Sequence, residues 1–191
     1  MSSQKKLIRS QFRARLEGFA EEDFRIWNRE LATRLLSVCS LIPPQSVVAA
    51  YRARAQEASL LPLFGMPFRF CFPRVLESGE TMEFRLVRAA KEDGEFTPGK
   101  FGILEPRDGH AVVARSEIKV VFLPLLAFDA QGNRLGHGKG FYDRYFAGFM
   151  GLKIGVGFEV QLSRDPLVVE PHDQRLDLAV TEKAVRNFRS I

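Results

Sequence analysis

The chain has 191 residues, of which 46% are hydrophobic and 17 are Phe, so it can bury a substantial core within one domain, which we place at residues 1–191. Lysine and arginine outnumber aspartate and glutamate by 28 to 23, and the resulting net charge of +5 favours anionic partners: nucleic acid, nucleotide phosphate or polycarboxylate. Two cysteines without CxxC or Cys/His spacing exclude a disulfide scaffold and a zinc site, and the lack of an apolar leader or of about 20 consecutive apolar residues predicts a cytoplasmic protein without membrane contact.

The first forty residues carry the three- to four-residue apolar spacing of amphipathic helices. This spacing predicts one helix over residues 4–19 and a second over about 22–40, which Pro43 and Pro44 end. Both helices therefore precede the first strand.

Beyond these helices the pattern changes to short β-branched and aromatic runs, which predict strands at 46–51, 68–72, 82–87, 118–123, 153–158 and 176–180. Continuous apolar runs such as 120–123 indicate strands covered on both faces, hence a largely parallel sheet, whereas the alternation at 82–87 favours a half-exposed antiparallel edge strand. Helices at 141–149 and 182–189 would supply part of the cover, and 94–106 reads as a long irregular connection. The expected fold is α/β, an open, mostly parallel but mixed sheet flanked by helices.

Residues 121–146 carry the chemistry: a buried strand, a polar glycine-rich loop and an apolar-periodic helix follow one another. Gly136, Gly138 and Gly140 alternate, which lets backbone N–H groups approach a phosphate, and the helix beyond them adds a partial positive charge. Arg134 and Lys139 bracket the glycines and can neutralise phosphate oxygens.

Neither common nucleotide signature fits this loop. The spacing from Gly132 to Lys139 is wrong for a P-loop, in which Gly140 would be Ser or Thr, and Phe141 stands at the third glycine of GxGxxG. From these residues alone, a glycine-rich turn with solvated charges remains the alternative.

The stretch AFDAQGNRLGHGKGFYDR nevertheless closely resembles the signature of the 5-formyltetrahydrofolate cyclo-ligase family, and further segments resemble that family in the same order along the chain. These are Lys5 and Arg9 with Arg15, FPR at 72–74, FGILEP at 101–106 and HDQRLD at 172–177. The resemblance spans essentially the whole chain.

The resemblance implies a small-molecule enzyme that uses MgATP to phosphorylate the formyl oxygen of 5-formyltetrahydrofolate, so that ring closure gives 5,10-methenyltetrahydrofolate, ADP and phosphate. It implies catalytic roles for Lys139 and Arg134, with Tyr142. It implies ATP contacts from Lys5, Arg9, Arg134, Leu135, Gly136, His137, Gly138, Lys139, Gly140, Phe141 and Tyr142. It implies folate contacts from Arg52, Glu57, His137, Gly138, Lys139, Gly140 and Phe141, and magnesium contacts from Asp143 and Asp173, with Asp177 as a rival to Asp173.

Other residues are expected to act structurally. We expect His172 to be structural and Asp129 to hydrogen-bond the glycine loop. Arg74 has two interpretations. It could contact phosphate or glutamyl carboxylates, or its strand could serve only to bury Phe70 and Phe72.

The chain departs from the family pattern after Glu57, where the family usually has Ile, an acid and Thr and this chain has Ala58, Ser59 and Leu60. His137 stands where family members often carry Arg or another large residue, and Phe141 replaces a common Tyr while preserving the ring. The glycines and Lys139 are unaffected by these changes.

Two other classes of protein stay open. An RNA-binding module would explain the basic charge and the many Phe residues, although these lie at core-forming periods and not between Lys and Arg. A sugar-phosphate or acyl-transfer enzyme could use the same α/β fold, with Lys139 on a substrate phosphate. We expect a monomer that binds a folate and no nucleic acid.

Overall fold

The computed structural model describes residues 3–189. Its α-helices are α1 (Ser3–Glu17), α2 (Glu21–Cys39) and α3 (Phe141–Tyr145). Its strands are β1 (Val47–Ala49), β2 (Arg69–Val75), β3 (Met82–Leu86), β4 (Phe96–Pro98), β5 (Leu104–Pro106), β6 (Val112–Val113), β7 (Ile118–Pro124), β8 (Ala127–Phe128), β9 (Arg134–Leu135), β10 (Leu152–Val156), β11 (Leu178–Val180) and β12 (Val185–Asn187).

The sequence of helix α2 explains where the helix begins and which of its faces is buried. Three acidic residues in the first turn offset the helix dipole, and the carboxylate of Asp23 accepts the backbone N–H of Ala20 at 2.9 Å. The apolar stripe of Phe24, Leu31 and Leu35 is buried on one face. Helices at both predicted N-terminal positions are confirmed, with bounds that differ by a few residues.

Eight strands form one sheet in the order β12-β11-β10-β7-β1-β2-β3-β6. The strands from β11 to β2 run parallel, while β12, β3 and β6 are antiparallel to their neighbours. Two antiparallel pairs, β4-β5 and β8-β9, lie outside this sheet. The expected mixed and mostly parallel sheet is therefore confirmed.

Both faces of the sheet are covered, because neighbouring residues of each central strand enter different clusters. Val48 and Phe122 pack on the face that carries α1 and α2. Ala49 and Val121, which adjoin them in those strands, pack on the opposite face with Phe141 of α3. Each fully buried Phe contributes about 2 to 3 kcal/mol to folding, which explains why the central strands are continuously apolar.

The position of a ligand crevice follows from the connections that leave β1 and β7. After β1 the chain passes to the α1/α2 face, where Leu60 and Leu63 are buried. After β7 it passes to the other face, where Leu125 and Phe141 are buried. Because adjacent parallel strands send their connections to opposite faces, a crevice opens between them at their carboxyl ends.

The predicted helix at residues 182–189 is wrong, since the chain forms strand β12 there, at the edge of the sheet. Thr181 explains the reversal: its Oγ1 accepts the backbone N–H groups of Lys183 and Ala184 at 3.2 and 3.1 Å, and its own N–H donates to the Ala184 carbonyl at 2.9 Å. The resulting tight turn pairs Val180 with Val185.

Three other expectations require correction. The helix predicted at 141–149 ends at Tyr145, and the segment 94–106 contains the hairpin β4-β5, with Gly102 at a φ of 70° between its strands. Strand β3 is antiparallel as expected but is not at the edge, because β6 pairs with it.

Asp129 organises the turn that leads into the glycine loop. Its buried carboxylate accepts the backbone N–H groups of Gln131, Asn133 and Leu167, each at 2.9 Å, and the Asn133 side-chain amide at 2.8 Å. Asp129 is a hydrogen-bond acceptor as expected, but the segment it fixes lies between β8 and β9, before the glycines of the loop.

Replacing Asp129 by Ala should lower the free energy of unfolding by about 3 kcal/mol, because three backbone donors lose their acceptor. The midpoint of denaturant unfolding, compared at an unchanged m-value, measures this loss. Asp165→Ala is the matched control at an exposed site and should change stability by less than about 0.5 kcal/mol. Equal effects of the two substitutions would contradict the assigned role.

Candidate ligand-binding site

A cavity of about 460 Å³ lies at the crevice between β1 and β7. Its wall includes every residue for which the sequence predicted contact with ATP, folate or metal. Residues that were not assigned a contact also line it: Arg13, Tyr51, Arg54, Ile103, Pro124, Arg144, Glu170 and His172. The contacts themselves stay predictions, but the geometry brings all the predicted residues together.

Three residues weighed in the sequence lie away from this wall. Arg15 donates to the Val160 carbonyl at 3.0 Å, and Arg74 pairs with Asp108 at 2.7 Å. Asp177 accepts the Lys153 backbone N–H at 2.7 Å. The carboxylate of Asp173 is therefore the one of the two rivals that faces the cavity.

The glycine loop owes its shape to two of its three alternating glycines. Gly138 and Gly140 have φ angles of 105° and 67°, a left-handed region that side chains rarely adopt, whereas Gly136 has no positive φ. Since α3 beyond the loop has only five residues, a strong helix dipole is not available, which corrects that part of the sequence argument. Anion binding must rely on the loop backbone and on cationic side chains.

Helix α1 brings two buried cations to this loop. The Lys5 ammonium donates to Asp173 at 2.5 Å and to Glu170 at 2.8 Å. Arg9, one turn later, donates from Nε to the Gly136 carbonyl at 2.9 Å. Its buried Nη1 has no hydrogen-bond partner within residues 3–189, and burial together with the charge of Arg13 lowers its pKa.

Arg134 and Asp143 form a buried ion pair on the same wall. Nη2 of Arg134 donates to both oxygens of Asp143, at 3.0 and 3.1 Å, while Nη1 donates to the Pro124 carbonyl at 2.9 Å. Burial would raise the pKa of Asp143, but the Arg134 charge and a backbone N–H from Gln174 lower it. Nε of Arg134 is buried and unpartnered in the described part of the chain.

Glu57 faces the glycine loop from the connection after β1. Its carboxylate accepts the Arg54 guanidinium at 2.7 and 3.1 Å and the Arg54 backbone N–H at 3.0 Å. His137 Nε2 lies 3.0 Å from Oε1, although without the alignment of a hydrogen bond. Burial acts to raise the pKa of Glu57, but His137 and Arg54 outweigh it and lower that pKa to about 2.

Two tyrosines of the wall stay protonated. Burial raises the pKa of both Tyr51 and Tyr142, and the Glu57 charge adds to the shift. The Tyr51 hydroxyl donates to the Ala58 carbonyl at 2.7 Å, and the Arg134 guanidinium lies 5.8 Å from the Tyr142 ring centre. A neutral phenol can donate a hydrogen bond at neutral pH, so Tyr142 is suited to an anionic oxygen.

Carboxylates suited to a hard cation gather where α1 meets residues 170–173. Atoms of Glu170, His172 and Asp173 that could ligate a metal lie within 4.8 Å of one another. Asp143 adjoins them, because it accepts the backbone N–H of Gln174 at 3.2 Å. Oxygen donors of this kind fit Mg²⁺. His172, expected to be structural, lies on the cavity wall.

The cavity carries a strong excess of positive charge, since eight lysines and arginines line it against four carboxylates. Such a site favours a polyanionic ligand. No helix within residues 3–189 is long and apolar enough to cross a membrane. The fold and the site together define an α/β domain with a cationic ligand cavity at the carboxyl edge of its sheet.

Comparison with known proteins identifies the family. A family model described as the 5-formyltetrahydrofolate cyclo-ligase family matches residues 1–182, and the chain belongs to this family.

Individual relatives agree with that assignment. A probable 5-formyltetrahydrofolate cyclo-ligase of Schizosaccharomyces pombe is 33% identical over 107 residues, which cover 48% of this chain and 52% of the relative. The 5-formyltetrahydrofolate cyclo-ligase of Haemophilus influenzae is 37% identical over 85 residues, 42% of this chain and 46% of the relative. The matched stretch thus spans about half the length of these two relatives. The solved structure of Aquifex aeolicus 5,10-methenyltetrahydrofolate synthetase superposes with a TM-score of 0.81 at 29% identity, covering 98% of this chain and 94% of that one.

Some cavity residues missed by sequence reasoning carried a usable signal. Arg13 lies one turn beyond Arg9 on α1, and that spacing places both on one helical face; Arg13 donates to the His137 carbonyl at 3.3 Å. Ile103 lies within FGILEP, one of the segments that resemble the family, whereas Glu170 had no comparable pattern and reaches the cavity only through the tertiary fold.

The low pKa of Glu57 predicts a specific loss of stability in acid. An acid whose folded pKa of about 2 lies below its ordinary 4.5 contributes stability above pH 4.5 that is lost as the pH falls toward 2. Between pH 5 and pH 3 the wild type should lose about 2 kcal/mol more unfolding free energy than Glu57→Gln. Denaturant unfolding at both pH values measures the difference. Parallel losses in the two proteins would disprove the shift.

Proposed function

We propose that this protein is a ligase that cyclises 5-formyltetrahydrofolate to 5,10-methenyltetrahydrofolate, with ATP converted to ADP and phosphate. Phosphorylation turns the formyl oxygen, a poor leaving group, into a phosphate that leaves readily when the nitrogen at position 10 closes the ring. The protein then needs only to align the two substrates and stabilise charge.

The observation that carries this proposal is the presence of unused cationic donors beside the glycine loop. Arg9 and Arg134 are both more than nine-tenths buried, and each keeps one nitrogen without a hydrogen-bond partner among the described residues. Leaving such donors unpaired costs free energy, which a phosphate oxygen would recover. The Gly136 carbonyl already holds Arg9 in place, so the site is prepared for an anion.

Different residues of the cavity wall have different roles in the proposed reaction. Lys139, exposed on the glycine loop, and Arg134, held by the Pro124 carbonyl and Asp143, would neutralise charge on the transferring phosphoryl group. Tyr142, held neutral by burial, donates a hydrogen bond to an anionic oxygen. Glu57, held ionised, accepts hydrogen bonds from the amino edge of the pterin.

Magnesium would be held by Asp143 and Asp173, whose carboxylates suit the ion in donor type. The ion would neutralise phosphate charge during transfer. In the present arrangement Arg134 and Lys5 occupy these carboxylates, so the same cations are available to shift toward phosphate oxygens. Glu170, on the same wall, is a further oxygen donor.

The RNA-binding alternative is disfavoured by where the rings and cations lie. Large aromatic side chains such as Phe72, Phe84 and Phe122 are fully buried and unavailable for stacking on bases.

Two buried thiols, Cys39 and Cys71, whose pKa values burial raises, suit a reducing compartment, and we propose a cytoplasmic monomer.

Purified protein supplied with 5-formyltetrahydrofolate, ATP and Mg²⁺ should develop the absorbance of the methenyl product, and omission of ATP should prevent it. Lys139→Ala should lower kcat at least about 100-fold, because charge on the transferring group loses its partner. The control Lys183→Ala removes an exposed lysine outside the cavity and should leave the rate unchanged. Wild-type protein without product formation would refute the proposed activity, whereas ATP-independent turnover would favour an acyl-transfer enzyme.

Asp173→Asn should raise the Mg²⁺ concentration that gives half-maximal rate about tenfold, since a charged ligand is lost. The matched control is Asp177→Asn, which alters a nearby carboxylate outside the cavity wall. A magnesium titration of the initial rate measures both. If only Asp177→Asn shifted the titration, the metal assignment would pass to the rival residue.

A further inference from the structure

The connection after β1 contains a closed four-residue turn. The backbone N–H of Glu57 donates to the Arg54 carbonyl at 2.9 Å, and the Glu57 carboxylate returns to accept the Arg54 backbone N–H at 3.0 Å. The Arg54 guanidinium adds two hydrogen bonds to Oε1 of the same carboxylate. Glu57 is therefore held by both the backbone and the side chain of a single residue.

This arrangement leaves part of the carboxylate available. Oε1 accepts both guanidinium bonds and faces His137 at 3.0 Å, whereas Oε2 accepts the Arg54 backbone N–H. A carboxylate oxygen has two lone pairs, so Oε2 can accept one more hydrogen bond. The glutamate side chain is only 11% exposed, and its charge would be costly without the guanidinium.

Arg54 and His137 contact Glu57 from two different segments of the chain. Arg54 belongs to the connection after β1, and His137 belongs to the glycine loop, which follows β9. The charge of Glu57 in turn acts on the buried phenols of Tyr51 and Tyr142 and helps to keep them neutral. Arg54 is thus the cation that fixes the charge and the orientation of Glu57 independently of the glycine loop.

We propose that Arg54 is a positioning residue for the folate substrate, which acts through Glu57 and has no direct contact with substrate. The proposal rests on the assignment of Glu57 to the pterin. By closing the turn on itself, Arg54 presents an ionised carboxylate in one orientation before the substrate arrives, so that little ordering is required on binding.

The proposal requires that loss of Arg54 changes the KM for the folate but not the KM for ATP. Arg54→Ala should raise KM for 5-formyltetrahydrofolate about tenfold, a binding loss of about 1.4 kcal/mol, while KM for ATP and kcat change by less than about twofold. Arg54→Lys should restore only part of the loss, because an ammonium supplies charge without the two-pronged hydrogen bonding. The control Arg25→Ala breaks an exposed arginine–glutamate pair of the same spacing on α2 and should change neither KM.

A double-mutant cycle with Glu57→Gln separates positioning from direct contact. If Arg54 acts through Glu57, the double variant Arg54→Ala/Glu57→Gln should have the same folate KM as Glu57→Gln alone. Additive increases would overturn the proposal and indicate that Arg54 itself contacts the folate, and an unchanged KM in Arg54→Ala would overturn it as well. Unfolding midpoints of all variants identify any that fail to fold, for which Arg54→Gln replaces Arg54→Ala. Failure of the proposed activity is distinct, because the wild type would then form no methenyl product.

Discussion

Burial of positive charge beside the glycine loop is the constraint to which the rest of the site is adapted. Lys5, Arg9 and Arg134 are all more than nine-tenths buried, and buried cations are tolerated only when they are paired or hydrogen-bonded. Asp173 and Asp143 supply that compensation for two of them, and the Gly136 carbonyl supplies it for Arg9. Each of these partners is itself part of the predicted site. The contacts that compensate the buried cations therefore involve the same residues that we predict to bind the ligands.

The sheet makes this concentration of charge possible. Its central parallel strands are buried on both faces, so the polar side chains of the site gather beyond the strand ends and not within the sheet. The connections after β1 and β7 diverge there, and α1 closes the space from the side. A cavity with an excess of cations results, although the chain as a whole has a net charge of only +5.

Much of this could be predicted from the sequence because it depended on local patterns. Continuous apolar runs predicted the buried strands, and alternating glycines with flanking cations predicted the position of the loop. The prediction of a helix at 182–189 was wrong because the hydroxyl of Thr181 closes a turn there. The spacing of apolar residues carries no information about such a turn. Likewise, the pairing of Lys5 with Glu170 could not be anticipated, since 165 residues separate them and only the tertiary fold brings them together.

The docking of α1 also has a consequence for how the molecule matures. The contacts from Lys5 and Arg9 span separations of 168 and 127 residues, so this helix can meet these partners only after Gly136 and Asp173 have been synthesised. Contacts of such long sequence separation incur the largest loop-closure entropy and form late. Docking of α1 therefore completes the cavity wall, to which it contributes Lys5, Arg9 and Arg13.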